Sequence, residues 1–380
     1  MKIVHCCLSC FYIDGYGYQE NELVRQNVAD GHDVTVIAST ETFGDDRKLT
    51  YLEPGEYIGT DGAKVCRLDY VKIPKFLARK LRINPGLMRL LELEKPDVIL
   101  FHGLCGWELL TVSKYKKLNP EVKLFADSHE DKHNSATSFI SKNILHLGYY
   151  KPIIQRSLKH IDKVFCLSSE VKDFCSSMYQ IPDEKMEMYH LGGHVLSDME
   201  YDELRTRTRR KHAISDSDIL FVQSGKFDYK KKLVESLTAF KKTSNASFKY
   251  FVIGAIPDEV EADVMSLIKS DVRIEFLGWK STEELQNYLS AADVYVQPGS
   301  QSATMQNSVC ARCAVILDDV KSHRFLLGDA GWLVREQCDL ENVFNLIAND
   351  PNLVKLQSEK SLSIARQHLD YKMLAKRLEV

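Results

Sequence analysis

The sequence predicts an α/β protein made of two parallel sheets, each wrapped by helices. Three observations carry this. Short runs of Val, Ile, Leu and Phe alternate with longer amphipathic stretches, the rhythm of a parallel sheet covered by helices. The runs lack polar–apolar alternation, which suits strands covered on both faces. The rhythm stops between Gly192 and Asp218, around the basic run Arg205-Thr-Arg-Thr-Arg-Arg-Lys211, and then restarts. At 380 residues the chain is more than twice a usual domain of roughly 150. Two Rossmann-like halves follow, facing each other across a cleft between the carboxyl ends of their strands.

In chain order, residues 2–9 read as a first strand, because an apolar run fills them. Residues 20–29 read as a helix, stopped by Gly31, and 33–39 as the second strand. Apolar runs place further strands at 64–68, 97–101, 123–127 and 163–168. Residues 192–218 read as the passage between domains 1–195 and 196–365, with a hinge near 195–215. The second series is 219–223, 250–253, 273–277, 293–297 and 315–317. Residues 366–380 read as a helix returning toward the first domain. No internal repeat or low-complexity tract is visible.

Composition narrows the function. Apolar residues make up 44% and charged residues 27%, the balance of a soluble globular protein rather than a disordered, collagen-like or disulfide-stapled chain. A net charge of −3 gives no global field for nucleic acid, so no nucleic-acid partner is expected. No apolar run approaches the ~18 residues of a membrane span. Met1-Lys2-Ile3-Val4-His5 lacks the features of a signal peptide, which points to a cytoplasmic protein. Of the ten cysteines, Cys7 and Cys10, and Cys310 and Cys313, have C-x-x-C spacing and could close a thiolate zinc site. Their apolar surroundings favour buried thiols in a reducing compartment, with no metal.

The loops after the strands carry the chemistry. After the first strand, Gly15 and Gly17 permit a tight turn before a helix start, as a ligand loop or as a plain turn. Glu20 occupies the third glycine position of the dinucleotide fingerprint, which argues against that motif. Ser128-His129-Glu130-Asp131 closes another strand, with a histidine beside two carboxylates. His102 ends the strand at 97–101 in weaker company, and a structural role is favoured there. In the second half, Gly225 is followed by Lys226 and then Lys231 at the next helix start. Cations there oppose the helix dipole unless an anion lies between them, so a phosphate clamp is expected. In the loop Gln297 to Ser308, the amides around Ser302, Ala303 and Thr304 suit a phosphate nest. The one Asp-x-Asp, Asp216-Ser-Asp218, reads as a turn or cap.

These motifs, in this order, resemble glycosyltransferase family 4, the retaining sugar-nucleotide transferases of GT-B fold. The resemblance spans nearly the whole chain. It rests on the first Gly loop, Gly31-His-Asp-Val-Thr-Val-Ile37, Leu167-Ser-Ser-Glu170, Ile181-Pro-Asp-Glu-Lys185, Phe276-Leu-Gly-Trp279, Ala292-Asp-Val-Tyr-Val-Gln-Pro298 and Gly331-Trp-Leu-Val334. The wording around Tyr18-Gln-Glu-Asn21 and Gly225-Lys-Phe-Asp is similar to the bacterial capsule, O-antigen and exopolysaccharide subset. The resemblance implies a UDP- or GDP-sugar substrate, a saccharide or lipid-linked acceptor, and no cofactor or metal. It places catalytic roles on His129, Lys226 and Lys231. Donor binding falls on Gly15, Gly17, Gly225, Trp279, Ser302, Ala303, Thr304, Gln306 and Asn307. Tyr16, Tyr18, His102, Glu130 and Asp131 are candidates on the acceptor side, in the first domain. One departure stands out: the family often carries a glutamate pair before the last strand, yet no acid occurs between Asp293 and Asp318. By position Asn307 replaces the glutamate that holds the ribose, with Gln306 beside it.

Two stretches suggest an anionic membrane surface as a further partner and a peripheral location. From Lys72 to Arg89 basic residues alternate with Ile73, Phe76, Leu77, Leu81 and Leu87 without an acid, and residues 139–159 are again basic and apolar. An epimerase or hydrolase of the same fold, or a silent nucleotide-sugar-binding protein, would fit the same motifs. The absent third glycine argues against a nicotinamide dehydrogenase.

Overall fold

The computed structural model describes residues 1–44, 48–300 and 302–379. It divides into two compact units, Met1–His190 together with the chain from Leu374 onward, and Leu191–Met373. Relative to the domain limits expected from sequence, the first boundary lies before Leu191 and the returning segment begins at Leu374.

The first unit holds strands β1 (Lys2–Cys7), β2 (Asp33–Ser39), β3 (Glu41–Phe43), β4 (Leu49–Tyr51), β5 (Gly55–Ile58), β6 (Lys64–Leu68), β7 (Val98–Phe101), β8 (Lys123–Ser128), β9 (Lys163–Cys166) and β10 (Met186–Met188). Eight form one sheet in the order β10-β9-β8-β7-β1-β2-β6-β5, and β3 pairs with β4 apart from it. Every pairing in the large sheet is parallel except that of β5 with β6. From Ile3 to Cys7, β1 is buried at every residue, as expected for a central strand with helices on both faces. The chain leaves β1 toward β2 on one side and takes up β7 on the other. That reversal makes the carboxyl ends of β1 and β7 a topological switch point.

The second unit holds β11 (Ile219–Lys226), β12 (Phe248–Ala255), β13 (Ile274–Gly278), β14 (Val294–Gln297), β15 (Ala314–Asp318) and β16 (Trp332–Val334). They form one parallel sheet in the order β13-β12-β11-β14-β15-β16. Its switch point lies between β11 and β14.

The expected passage at 192–218 differs from the structure. It contains the helix Asp198–Lys211, opened by a capping box between Ser197 and Glu200, and this helix belongs to the second unit. Its basic run is not a solvated linker. Arg205 and Arg209 reach Asp293 at 2.5 and 3.0 Å and donate to the carbonyl of Ala291 at the end of the helix Thr282–Ala291. Cations suit that helix terminus because its last carbonyls are unpaired. Asp218 accepts from the backbone N–H of Ser215, so Asp216-Ser-Asp218 is a turn.

All ten cysteines are free thiols. Cys7 is buried beside Cys10 in the first unit, and Cys310 and Cys313 are buried in the second. Among the described residues no group of His, Cys, Asp and Glu is arranged to hold a metal ion. No helix among them is long and apolar enough to cross a membrane.

Candidate functional site

In the first unit the site is built at the switch point. The loop after β1 is tied down from below. The buried Arg67 donates to the carbonyls of Tyr12 and Ser39, and Asn21 donates to that of Ile13. The loop's crest therefore stands exposed at Gly15, Gly17 and Tyr18. Gly15 has φ +75°, a conformation side chains resist. The rings of Tyr16 and Tyr18 lie 5.3 Å apart, and Tyr16 also meets Phe43 at 6.1 Å. The loop runs into the helix Gln19–Ala29, whose first turn is polar yet buried from Gln19 through Glu22.

Beneath that turn lies a chain of buried polar groups. His5 Nε2 stands 3.0 Å from Asn27 Oδ1, and His5 Nδ1 stands 3.0 Å from His102 Nε2. His102 Nδ1 lies 2.6 Å from Asp127 Oδ2, and the N–H of Gly103 donates to Asp127 Oδ1 at 2.7 Å. His129 Nε2 closes the chain, 3.3 Å from Asp127 Oδ1 and 3.7 Å from Glu20 Oε1. His5, His102 and Asp127 are buried, whereas 34% of the His129 side chain is exposed. Its Nε2 is buried against the carboxylates, which leaves Nδ1 as the ring nitrogen for a ligand.

Burial opposes charge on both His102 and His129, but the Asp127 carboxylate outweighs it. His102 is raised to about 10 and His129 to about 9, Glu20 adding to both. Burial likewise opposes ionisation of Asp127, and the two imidazolium neighbours overcome it, holding the carboxyl far below its ordinary range. His5 moves the other way: burial, then the charge on His102, push it down to about 3. The result is a charged His129 at neutral pH, presented at a loop edge.

Glu130 and Asp131 fix that loop. Glu130 accepts from the Ser128 hydroxyl and the His129 N–H, and Asp131 accepts from the N–H groups of His133 and Asn134. Asn134 in turn donates to the His129 carbonyl. Both carboxylates are thus engaged within the loop, and His102 lies wholly below the surface. Of the expected first-unit residues, Gly15, Gly17, Tyr16, Tyr18, His129, Glu130 and Asp131 reach solvent, and His102 does not.

In the second unit Gly225, Lys226, Lys231 and the residues that follow β14 lie at the β11–β14 switch point, and Trp279 lies two strands away, after the edge strand β13. Lys226 ends β11, exposed, after Gly225 at φ +142°. The turn Tyr229–Lys231 packs on the loop after β14. Ser300 N–H donates to the Lys230 carbonyl, and Lys231 Nζ donates to the Ser300 carbonyl at 2.7 Å. Burial lowers the Lys231 pKa, with Asp228 opposing. Ser302 donates to Gln297 Oε1, which also accepts from Tyr295. Ala303 and Thr304 begin the short helix Thr304–Cys310, which carries Gln306 and Asn307. Gln306 Nε2 donates to the Ser302 and Ala303 carbonyls. Trp279 stands at the carboxyl end of β13 with 61% of its surface exposed, after Gly278 at φ +67°.

Asp127, His5, Asn27 and the ion-pairing role of Glu20 are not distinguished in the sequence from ordinary strand and helix residues. A polar residue inside an apolar strand run is the one signal they leave.

Residues 15–192 match the family model described as Glycosyltransferase Family 4, and residues 205–358 match the model described as Glycosyl transferases group 1. No curated protein sequence matches significantly. Among solved structures, sucrose-phosphate synthase from Thermosynechococcus elongatus is similar with a TM-score of 0.66 at 15% identity, over 100% of this chain and 97% of that one. WaaG, a glycosyltransferase involved in lipopolysaccharide biosynthesis, gives 0.62 at 16% identity over 99% and 98%. Anabaena Alr3699/HepE in complex with UDP-glucose gives 0.60 at 12% identity over 100% and 98%. At these identities the likeness establishes the GT-B fold, two Rossmann-like domains.

Proposed function

We propose that this chain, which belongs to the GT-B glycosyltransferases of family 4, moves a sugar with retention from a nucleotide-sugar donor to a saccharide or lipid-linked saccharide. The donor is held by the second unit and the acceptor by the first, in bacterial surface polysaccharide synthesis. The observation that carries the reading is the convergence of Lys226, Lys231 and Ser300 at the β11–β14 switch point, where α/β sheets hold their ligands. Cleaving the sugar–phosphate bond adds charge to a diphosphate. The Lys226 ammonium and the backbone N–H groups of the 302–304 segment answer that charge without a metal. The leaving phosphate accepts the acceptor's proton on the same face, so no protein nucleophile is needed. His129 supplies a positive ring edge beside the sugar.

On the acceptor side, a cavity of about 280 Å³ opens at the carboxyl ends of β2 and β6, lined by Tyr51, Tyr70, Lys72, Lys75 and Asp69 among others. Aromatic faces with charges of both signs suit a saccharide. The enzyme works in the cytoplasm, at the inner face of the membrane.

The test is a panel of UDP- and GDP-sugars, read by nucleotide release with and without saccharide acceptors and in excess chelator, with product anomers assigned by NMR. UDP-glucose leads the panel because a structural relative binds it. Chelator-resistant, acceptor-dependent release with a retained anomer supports the reading. Release without acceptor favours a hydrolase or epimerase, and an inverted anomer rules out retention.

A further inference from the structure

We propose that His102, held as an imidazolium by His5 and Asn27, is a positioning residue that sets the charge of His129 through Asp127. This rests on the reading of His129 as the group beside the transferred sugar.

Hydrogen-bond direction carries the argument. Asn27 Oδ1 can only accept, so His5 Nε2, 3.0 Å away, carries a proton. His5 is fully buried, and burial holds it neutral, so its Nδ1 presents a lone pair. That lone pair, 3.0 Å from His102 Nε2, accepts a proton from it. The other nitrogen of His102 donates to Asp127 at 2.6 Å. Both nitrogens of His102 are therefore protonated and the ring is a cation. The His5 and His102 rings lie 13° from parallel with centroids 5.3 Å apart.

The consequence falls on His129. Asp127 Oδ2 is occupied by His102, while Oδ1 takes the Gly103 N–H and the more distant His129. His129 thus faces a carboxylate already matched by one cation. With His102 neutral, the same carboxylate and Glu20 would hold the His129 proton far more tightly. The groups facing His129 are Asp127 from β8, Glu20 from the helix Gln19–Ala29 and Glu130 from its own loop. Those facing His102 are His5 and Cys7 from β1, Asp127 and Glu20. An apolar core would serve the sheet equally well, because a buried ion pair rarely adds net stability. A polar chain that begins at Asn27 and ends at a loop-borne histidine is explained by what it does to that histidine.

The test is nitrogen-15 and carbon-13 NMR of the histidine rings in the full chain. At pH 7 the wild-type protein should show His102 protonated on both nitrogens and His5 neutral with its proton on Nε2. A neutral His102, or the other His5 tautomer, overturns the proposal without any variant having to fold. In His102→Gln, which keeps a donor to Asp127 and loses the charge, the His129 proton should bind about tenfold more tightly or more. His5→Gln offers His102 an acceptor oxygen and should leave the His129 midpoint where it is. An unmoved midpoint in His102→Gln overturns the coupling. Release of UDP from UDP-glucose is then followed against pH on the same variants. A rate profile that shifts with the NMR midpoint supports both readings. A midpoint that shifts while the rate profile stays fixed leaves the coupling standing and removes His129 from the transfer.

Discussion

Gly254 passes so close to Gly225 that a Cβ at 254 would lie 1.8 Å from the Gly225 carbonyl oxygen. The two residues are partners in the β11–β12 register, both with φ near +145° (+142° and +146°). Such backbone is nearly closed to side chains, so the start of the Lys226 loop is shaped by its neighbouring strand. Gly254→Ala should therefore displace Lys226 and weaken nucleotide diphosphate binding by tenfold or more, with a clear loss of melting temperature. Calorimetry with UDP and a thermal melt measure the two effects. Wild-type affinity in this variant would show that the loop's geometry does not matter to the ligand.

The two lysines of that loop are expected to differ. Lys226 is exposed at the strand end, whereas the Lys231 ammonium is fastened to the Ser300 carbonyl and half-buried. Lys226→Ala removes a charge that meets the growing negative charge of the leaving diphosphate, so kcat should fall on the order of 100-fold with donor affinity changed less. Lys231→Ala also releases the Ser300 carbonyl and should weaken donor binding and turnover together. The double variant should be less than additive, because both serve one phosphate pair. Donor binding by calorimetry and turnover by nucleotide release separate the cases.

The sheet strands were legible because a buried parallel strand leaves an unbroken apolar run: 33–39 and 64–68 coincide with β2 and β6. The short β5, β10 and β16 leave runs too brief to distinguish, and β3 and β4 pair only with each other. Residues 198–211 misled for a definite reason. Arg205 and Arg209 satisfy carbonyls and Asp293 while Arg207 and Arg210 face solvent, and composition cannot tell an arginine facing a helix end from one facing water. His129 was visible as a histidine beside the two carboxylates Glu130 and Asp131, but its partner Asp127 was not. Their relation to His102 depends on the register of β7 against β8, which sets Phe101 opposite Ala126 and hence His102 beside Asp127. Register is a property of the folded sheet.

Stability should depend on pH in a direction set by the same chain. The folded state raises His102 and His129 above the ordinary 6.5, to about 10 and about 9. Their contribution is complete below pH 6.5 and is lost as pH rises through those values. His5, pushed down to about 3, acts in reverse: unfolding lets it take up a proton below pH 6.5, which destabilises the fold progressively toward pH 3. Asp127 adds stability that is present above its ordinary 3.8 and drains below it. The melting temperature should thus be highest near pH 6.5 and fall on both sides, with solvent weakening the share of the partly exposed His129. His5→Gln should flatten the slope between pH 6.5 and 4. A melting temperature that holds level from pH 6.5 to 9 would contradict the charged His102.

The first unit also presents a surface suited to an anionic bilayer. Phe76 and Leu77 project from the helix Lys75–Leu81, exposed by 65% and 40%. Ile144, on the π-helix Ser141–Tyr150, and Phe139 and Ile140 just before it are each more than 60% exposed (64%, 77% and 64%). The two helices are fastened together, for Tyr149 and Tyr150 donate to the carbonyls of Leu81 and Lys80. The stretches that carry this surface, residues 70–91 and 132–161, contain no acid. Exposed apolar side chains in stretches that carry cations and no acid match the interface of an anionic leaflet, each basic residue adding about 1 kcal/mol near it. Sedimentation with vesicles of anionic lipid should therefore recover the protein, and neutral vesicles should not. Lys80→Gln with Lys142→Gln should lower the partition coefficient roughly 30-fold. Phe76→Ser with Ile144→Ser should lower it further at high salt, where the charge contribution is screened. Equal, weak recovery on both kinds of vesicle would assign this face to something other than a membrane.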